Sequence, residues 1–178
     1  MNIRWISILV MVAVVGCGKA GSGDQATPTV DKAIAVVVAT AGNSVSGEIT
    51  FQATDQGIRV TGRLEGLTPG EHGFHIHQYG DCSAPDGSSA GGHFNPANSA
   101  HASPTSAERH VGDLGNITAD EHGIVELDMV DSQLAFSGPN SIIGRAVVVH
   151  GGPDDFTSQP SGAAGPRVGC GVIGIASN

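Results

Sequence analysis

Three observations predict an all-β domain, an antiparallel sandwich or barrel. Glycine is abundant at 27 of 178 residues, aromatic residues make up only 4%, and short runs rich in valine and isoleucine recur between glycine-marked breaks. No stretch of good helix formers and no internal repeat interrupts that pattern. In chain order, KAIAVVVAT (32–40), SGEITFQAT (46–54), GIRVTGRLEGL (57–67) and GEHGFHIHQYG (70–80) read as strands. From Asp81 to Gly112 strand periodicity is absent, and this stretch is expected to be one very long loop, a feature that usually carries function or holds a ligand. GNITAD (115–120), GIVELDMV (123–130), IIGRAVVVHGG (142–152) and RVGCGVIGIA (167–176) return to strands.

The N-terminus reads as a targeting segment. Arg4 supplies a positive charge, and the 11 residues from Trp5 to Val15 are apolar or small. That is too short to span a bilayer, which takes about 20 helical residues, and residues 1–16 are therefore expected to be a signal peptide. The segment ends VVGC, which resembles the lipobox of bacterial lipoproteins and implies cleavage before Cys17 and acylation of that cysteine. The 13 residues GKAGSGDQATPTV that follow are small and polar, a flexible tether reaching about 20 Å on flexible-chain scaling. The expected organisation is thus a signal peptide (1–16), a lipidated cysteine with its tether (17–31) and one domain (32–178). Of the three cysteines, lipidation of Cys17 leaves Cys82 and Cys170 as a pair. In an oxidising compartment a disulfide between them would contribute roughly 4 to 5 kcal/mol on the chain-entropy view.

The histidines carry the chemistry. In HGFHIHQYGDC (72–82), His75 and His77 stand two apart, so an extended backbone presents both rings on one face while Phe74 and Ile76 take the other. His93 in GGHFNP, His101 in SAHAS and His110 in ERHVGD fall in the long loop, with Asp113 three residues after His110. Three imidazoles and one carboxylate form a closed set suited to Zn²⁺, and binding energy would order a loop that lacks a core of its own. His150 ends the strand GRAVVVH, and with His75 and His77 it makes more ligands than one metal needs.

HGFHIHQYGD, GGHFNP, ERHVGDLGNITAD, IIGRAVVVH and CGVIGIA together resemble copper/zinc superoxide dismutase, in the same order and from about residue 32 to the end. The resemblance implies an eight-stranded antiparallel Greek-key β-barrel, an immunoglobulin-like sandwich with long metal-binding and electrostatic loops. It implies an enzyme that dismutes superoxide to dioxygen and hydrogen peroxide with copper cycling between Cu(II) and Cu(I). His75, His77, His93 and His150 would hold copper; His93, His101, His110 and Asp113 would hold zinc, with His93 as the bridge. These copper ligands and Arg167, beside the open face of the copper, would be the catalytic residues. Asp154 would link His75 to His101 from behind, and Cys82 and Cys170 would be the disulfide. No cofactor beyond the metals is implied. His72 and His122 fit neither set; His72 is expected to make a structural hydrogen bond and His122 to face solvent. Tyr79, Gly80, Ile143, Gly144, Val172 and Ile175 resemble the apolar pairing surface of the eukaryotic-type enzymes, which implies a homodimer.

This chain departs from the animal enzymes in two places. Cys82 directly follows Gly80 and Asp81, and only 16 residues separate His150 from Arg167, with FTSQPSGAAGP after Asp155 carrying no charge. The loop that helps to steer substrate is therefore short and lacks its lysine and glutamates. Removal of residues 1–16 takes away Arg4 and leaves 7 basic against 17 acidic residues, a formal −10. Two divalent ions and an imidazolate bring this to roughly −7, so local positive potential must overcome the global field to attract an anion. No basic stripe or recognition helix is present, which argues against nucleic-acid binding. The expected location is the bacterial cell envelope, lipid-anchored through Cys17 and facing the periplasm or the exterior. The alternative is a membrane-tethered copper/zinc-binding protein without dismutase turnover, whose mark would be a missing copper ligand or a missing Arg167; neither is missing.

Overall fold

The computed structural model describes Met1 and residues 29–177. The expected signal peptide, Cys17 and most of the tether lie outside the described residues. Eight strands follow in order: β1 Lys32–Ala39, β2 Ser46–Thr54, β3 Gly57–Glu65, β4 Gly70–His77, β5 Asp113–Ala119, β6 Val125–Asp131, β7 Ala146–His150 and β8 Arg167–Ile175. Every stretch that reads as a strand in the sequence is one, and residues 78–112 form the long loop, interrupted only by a 3₁₀ turn at Ser88–Ala90.

Alternation explains why these segments are strands. Ala33, Ala35 and Val37 of β1 are buried while Val36 and Val38 are exposed; Ile49 and Phe51 do the same for β2, and Val60 and Leu64 for β3. Between the last two, Gly62 lies so close to β2 that a Cβ would strike the Glu48 carbonyl, so this position admits only glycine. All ladders are antiparallel, and the neighbour order is β5-β4-β7-β8-β1-β2-β3-β6. The two end strands, β5 and β6, face each other across a seam without a ladder, so the barrel is nearly closed. The connections β3 to β4 and β6 to β7 cross between non-neighbours, the Greek-key feature of the topology.

One core fills the barrel, with Phe51, Phe74, Ile49, Leu64, Ile76, Leu114, Ile142 and Ile173 among its largest members. A smaller cluster of Ala90, Ala146, Val148 and Cys170, with Cys82 against it, lies on the outer face of β7 and β8. The Cys82–Cys170 disulfide is formed, with a Cα separation of 5.8 Å, and ties the start of the long loop to β8.

β4 differs from the half-buried strand that its sequence suggests. Phe74 and Ile76 enter the core as expected, but His75 and His77 on the opposite face are buried too. The long loop folds back over that face. Ile76 N–H donates to Gly112 O at 2.9 Å, Phe94 N–H to Ile76 O at 2.8 Å and Gly112 N–H to Phe94 O at 3.0 Å. This extra pairing forms a bridge between His77 and His93 and sets the loop's first histidine beside the strand's last.

Candidate metal centre

The barrel wall and the long loop bring seven side chains into two adjoining groups. His75, His77, His93 and His150 form one; His93, His101, His110 and Asp113 form the other, and in each the ligand atoms lie within 4.8 Å of one another. All seven are buried. His75 and His77 come from β4 and His150 from the end of β7, whose Val148 pairs with His75. Asp113 opens β5, opposite His75.

Hydrogen bonds decide which nitrogen each ring has free. His77 Nδ1 faces Gly91 O at 2.9 Å and His150 Nδ1 faces Gly165 O at 3.2 Å; a carbonyl takes only a proton, so both rings carry hydrogen on Nδ1 and turn the lone pair of Nε2 inward. Their Nε2 atoms are 3.4 Å apart. His75 is reversed: its Nε2 bonds Asp154 Oδ2 at 2.7 Å and leaves Nδ1 free. His93 stands between the groups. Its Nδ1 lies 2.8 Å from Asp113 Oδ1, and its Nε2 points away from it. Asp113 Oδ1 also lies 2.9 Å from His101 Nδ1 and 3.1 Å from His110 Nδ1, so three ring nitrogens converge on one carboxylate oxygen.

Two nitrogens in this cluster, His75 Nδ1 and His93 Nε2, are buried without a hydrogen-bond partner, and His101 Nδ1 approaches Asp113 Oδ1 at 2.9 Å without hydrogen-bond geometry. An orphaned buried polar atom costs roughly 1 to 3 kcal/mol. A metal ion takes those lone pairs, so the orphans fit bound metal, and the donor sets fit two different ions. Four imidazoles suit copper in both oxidation states, while three imidazoles and a carboxylate make a closed zinc set.

Burial favours the ligating, neutral form of His75, His77, His110 and His150. It pulls His75 down to about 4 and His150 to about 3, and takes His77 well below the ordinary histidine value, with the neighbouring His93 adding to the effect. Burial also lowers His110. At His101 burial works downward, but the carboxylates of Asp154 and Asp113 outweigh it and the pKa rises. Burial would raise Asp113, yet its hydrogen bond with His93 and the nearby rings of His101 and His110 bring it to about 2.

Asp154 reaches both groups, with Oδ2 on His75 Nε2 at 2.7 Å and Oδ1 on His101 Nε2 at 2.9 Å. Its main chain is itself held: Asn116 accepts from Asp154 N–H at 2.7 Å and donates to Asp154 O at 2.9 Å. Gly162 passes directly over this pair with φ +66°, and a Cβ there would overlap Asp154 Oδ1. His72 lies between two carbonyls, with Nδ1 2.8 Å from His150 O and Nε2 2.8 Å from Thr68 O and 3.3 Å from Thr68 Oγ1, and His122 faces solvent.

Arg167 lines a pocket of about 360 Å³ together with His77, His93, Asn95, His150 and Pro160. It is also anchored: its two terminal nitrogens donate to Gly87 O and Gly91 O at 2.6 Å, and although burial lowers its pKa, a guanidinium stays charged. Larger hollows near Thr29 and Arg59 lie elsewhere on the barrel and contain none of the histidines.

The sequence did not reveal several supports. Arg109, buried, donates to the carbonyls of His110, Val111 and Asp113 and pairs with Asp131 on β6, so it braces the stretch that carries two of the site residues. Its place beside His110 in ERHVGD was the only signal. Arg145 stacks 3.4 Å over the ring of Phe94, next to His93, and Gln159 bonds the main chain of His101.

The profile of the copper/zinc superoxide dismutase (SODC) family matches residues 45–173. An extracellular superoxide dismutase [Cu-Zn] of Brugia pahangi is 46% identical over 155 residues, covering 82% of this chain and 76% of that protein. The crystal structure of the clock protein EA4 superposes with a TM-score of 0.78 at 45% identity, covering 85% of this chain and 98% of that one. With two adjoining groups of buried ligands that share one imidazole, on a barrel of the matching fold, the chain belongs to the copper/zinc superoxide dismutase family, enzymes that use copper and zinc to dismute superoxide.

Proposed function

We propose that this chain is a lipid-anchored superoxide dismutase of the bacterial cell envelope, with copper on His75 Nδ1, His77 Nε2, His93 Nε2 and His150 Nε2 and zinc on His93, His101 and His110 Nδ1 and Asp113 Oδ1. The observation that carries the assignment is His93, whose two ring nitrogens serve both groups, one toward Asp113 and the other buried and unpartnered. Copper held by these residues would supply the one-electron redox chemistry that dismutation of superoxide requires. When not engaged by copper, His93 Nε2 would hold a proton and deliver it to the reduced substrate, a second proton from solvent completing hydrogen peroxide, and zinc on Nδ1 would lower the basicity of that ring. Asp154 orients His75 and His101 through their outer nitrogens. Arg167 attracts and seats the anion at the pocket mouth, held in place by the carbonyls of Gly87 and Gly91.

The domain organisation follows the same reading: signal peptide 1–16, lipidated Cys17 with its tether, and the enzyme from residue 32. Its support is the apolar run before VVGC, and the disulfide, which takes up Cys82 and Cys170 and suits an oxidising compartment. The extracellular relative favours export. A homodimer rests on the exposed apolar side chains of Tyr79 and of Val172 and Ile175 on β8, next to the exposed Val36 and Val38 of β1.

Superoxide decay measured on purified protein, together with copper and zinc content, tests the reading. The expected result is turnover with about one of each metal per chain. Both metals bound without turnover would make the chain a metal-binding protein instead.

A further inference from the structure

The stretch FTSQPSGAAGP after Asp155 carries no charge, yet it engages a residue of the site. Gln159 Oε1 accepts the N–H of His101 at 2.9 Å, and Gln159 Nε2 donates to the carbonyl of the same residue at 2.8 Å. One side-chain amide thus engages both main-chain groups of His101, as a neighbouring strand would. Among the described residues, no strand pairs with the segment around His101, and no other hydrogen bond reaches its N–H or C=O. The loop also holds the ring: Asp154 Oδ1 bonds His101 Nε2, and Gly162 passes over both side chains. The loop is closed on itself by Asp155 N–H to Gly162 O at 2.9 Å and Gly162 N–H to Ser158 O at 2.7 Å, so Asp154 and Gln159 belong to one small unit.

We infer that Gln159 is a positioning residue for the zinc site, fixing the His101 main chain while Asp154 fixes its ring. The inference rests on the assignment of zinc to His101. A ligand held at both ends pays no further ordering cost when metal binds, so loss of the clamp speeds zinc release without touching the copper ligands on β4 and β7.

Two readouts test it. In metal-free protein, amide hydrogen exchange at His101 reports the clamp directly. In the fully loaded protein, transfer of zinc to a chelator is timed while copper content is followed. Gln159→Leu, which keeps the bulk and removes both bonds, should accelerate His101 exchange and zinc release, the latter by about 3- to 10-fold for two partly exposed hydrogen bonds, with copper retained. Gln159→Glu, which keeps the acceptor and loses the donor, should fall between; it also serves if the leucine variant folds poorly. Unchanged exchange or unchanged zinc release in both variants overturns the inference. If His101→Ala still binds zinc normally, the site assignment fails and not the clamp.

Discussion

His93 and Asp113 meet at 2.8 Å, Nδ1 to Oδ1, and this contact turns the other nitrogen of the His93 ring away from the carboxylate into the group formed by His75, His77 and His150. One imidazole is thereby shared between two ligand sets. The sets are otherwise separate, so each can be emptied alone.

His101→Ala should remove zinc and loosen the long loop while leaving most of the copper, because none of the nitrogens assigned to copper belongs to His101. His150→Ala should abolish turnover and copper binding with zinc retained. Metal analysis of the two variants checks this, and the opposite pattern would exchange the two assignments.

Arg167→Ile should lower the second-order rate with both metals still bound. A positive charge about 6 Å from superoxide contributes roughly 0.7 kcal/mol in water-like surroundings and nearly 3 at an effective dielectric of 20, a factor of about 3 to 100 in rate. The two carbonyl bonds of Arg167 add a structural effect, which Arg167→Lys separates by restoring charge without the fork. Added salt should slow the wild type more than the isoleucine variant. Full activity in Arg167→Ile would leave this arginine only its loop-fastening bonds.

Acid should destabilise the metal-free protein well above the carboxylate range. His75 and His150 have folded-state values of about 4 and about 3, set chiefly by burial, against about 6.5 when unfolded. Their stabilisation is complete above 6.5 and is lost as pH falls toward 4 and then 3, because the unfolded chain takes up protons that the folded one refuses. Each contributes a slope of up to about 1.4 kcal/mol per pH unit in that window. His101, raised by its carboxylates, opposes them, but His77 acts with them. Urea midpoints of the metal-free protein at pH 7 and pH 5 should therefore differ clearly, and equal midpoints would count against neutral, buried ligands.

Cys17→Ser should block acylation and release the protein from membranes, with the specific activity of the folded domain unchanged. Fractionation of the wild type and the variant checks it; a wild type recovered entirely in the soluble fraction refutes the anchor.

The strands were legible in the sequence, and so were the histidines that the fold gathers into two groups. A period of two needs only local information, and SGEITFQAT states it outright, while KAIAVVVAT is a continuous apolar run marked as a strand by its valines and isoleucine and by its short length. The histidines were legible because their spacing within HGFHIHQYGD and ERHVGD repeats a family pattern. The tertiary structure decided which nitrogen of each ring is free, since that depends on carbonyls and carboxylates far along the chain: Gly91 for His77, Gly165 for His150 and Asp154 for His75. It decided that β4 is buried on both faces, because the loop returns to pair with Ile76. It alone placed Asp131 against Arg109 and Gln159 against His101, 22 and 58 residues apart. Polar side chains such as these carry no periodic signature; their role is fixed only when folding removes water and leaves a particular backbone group in need of a partner.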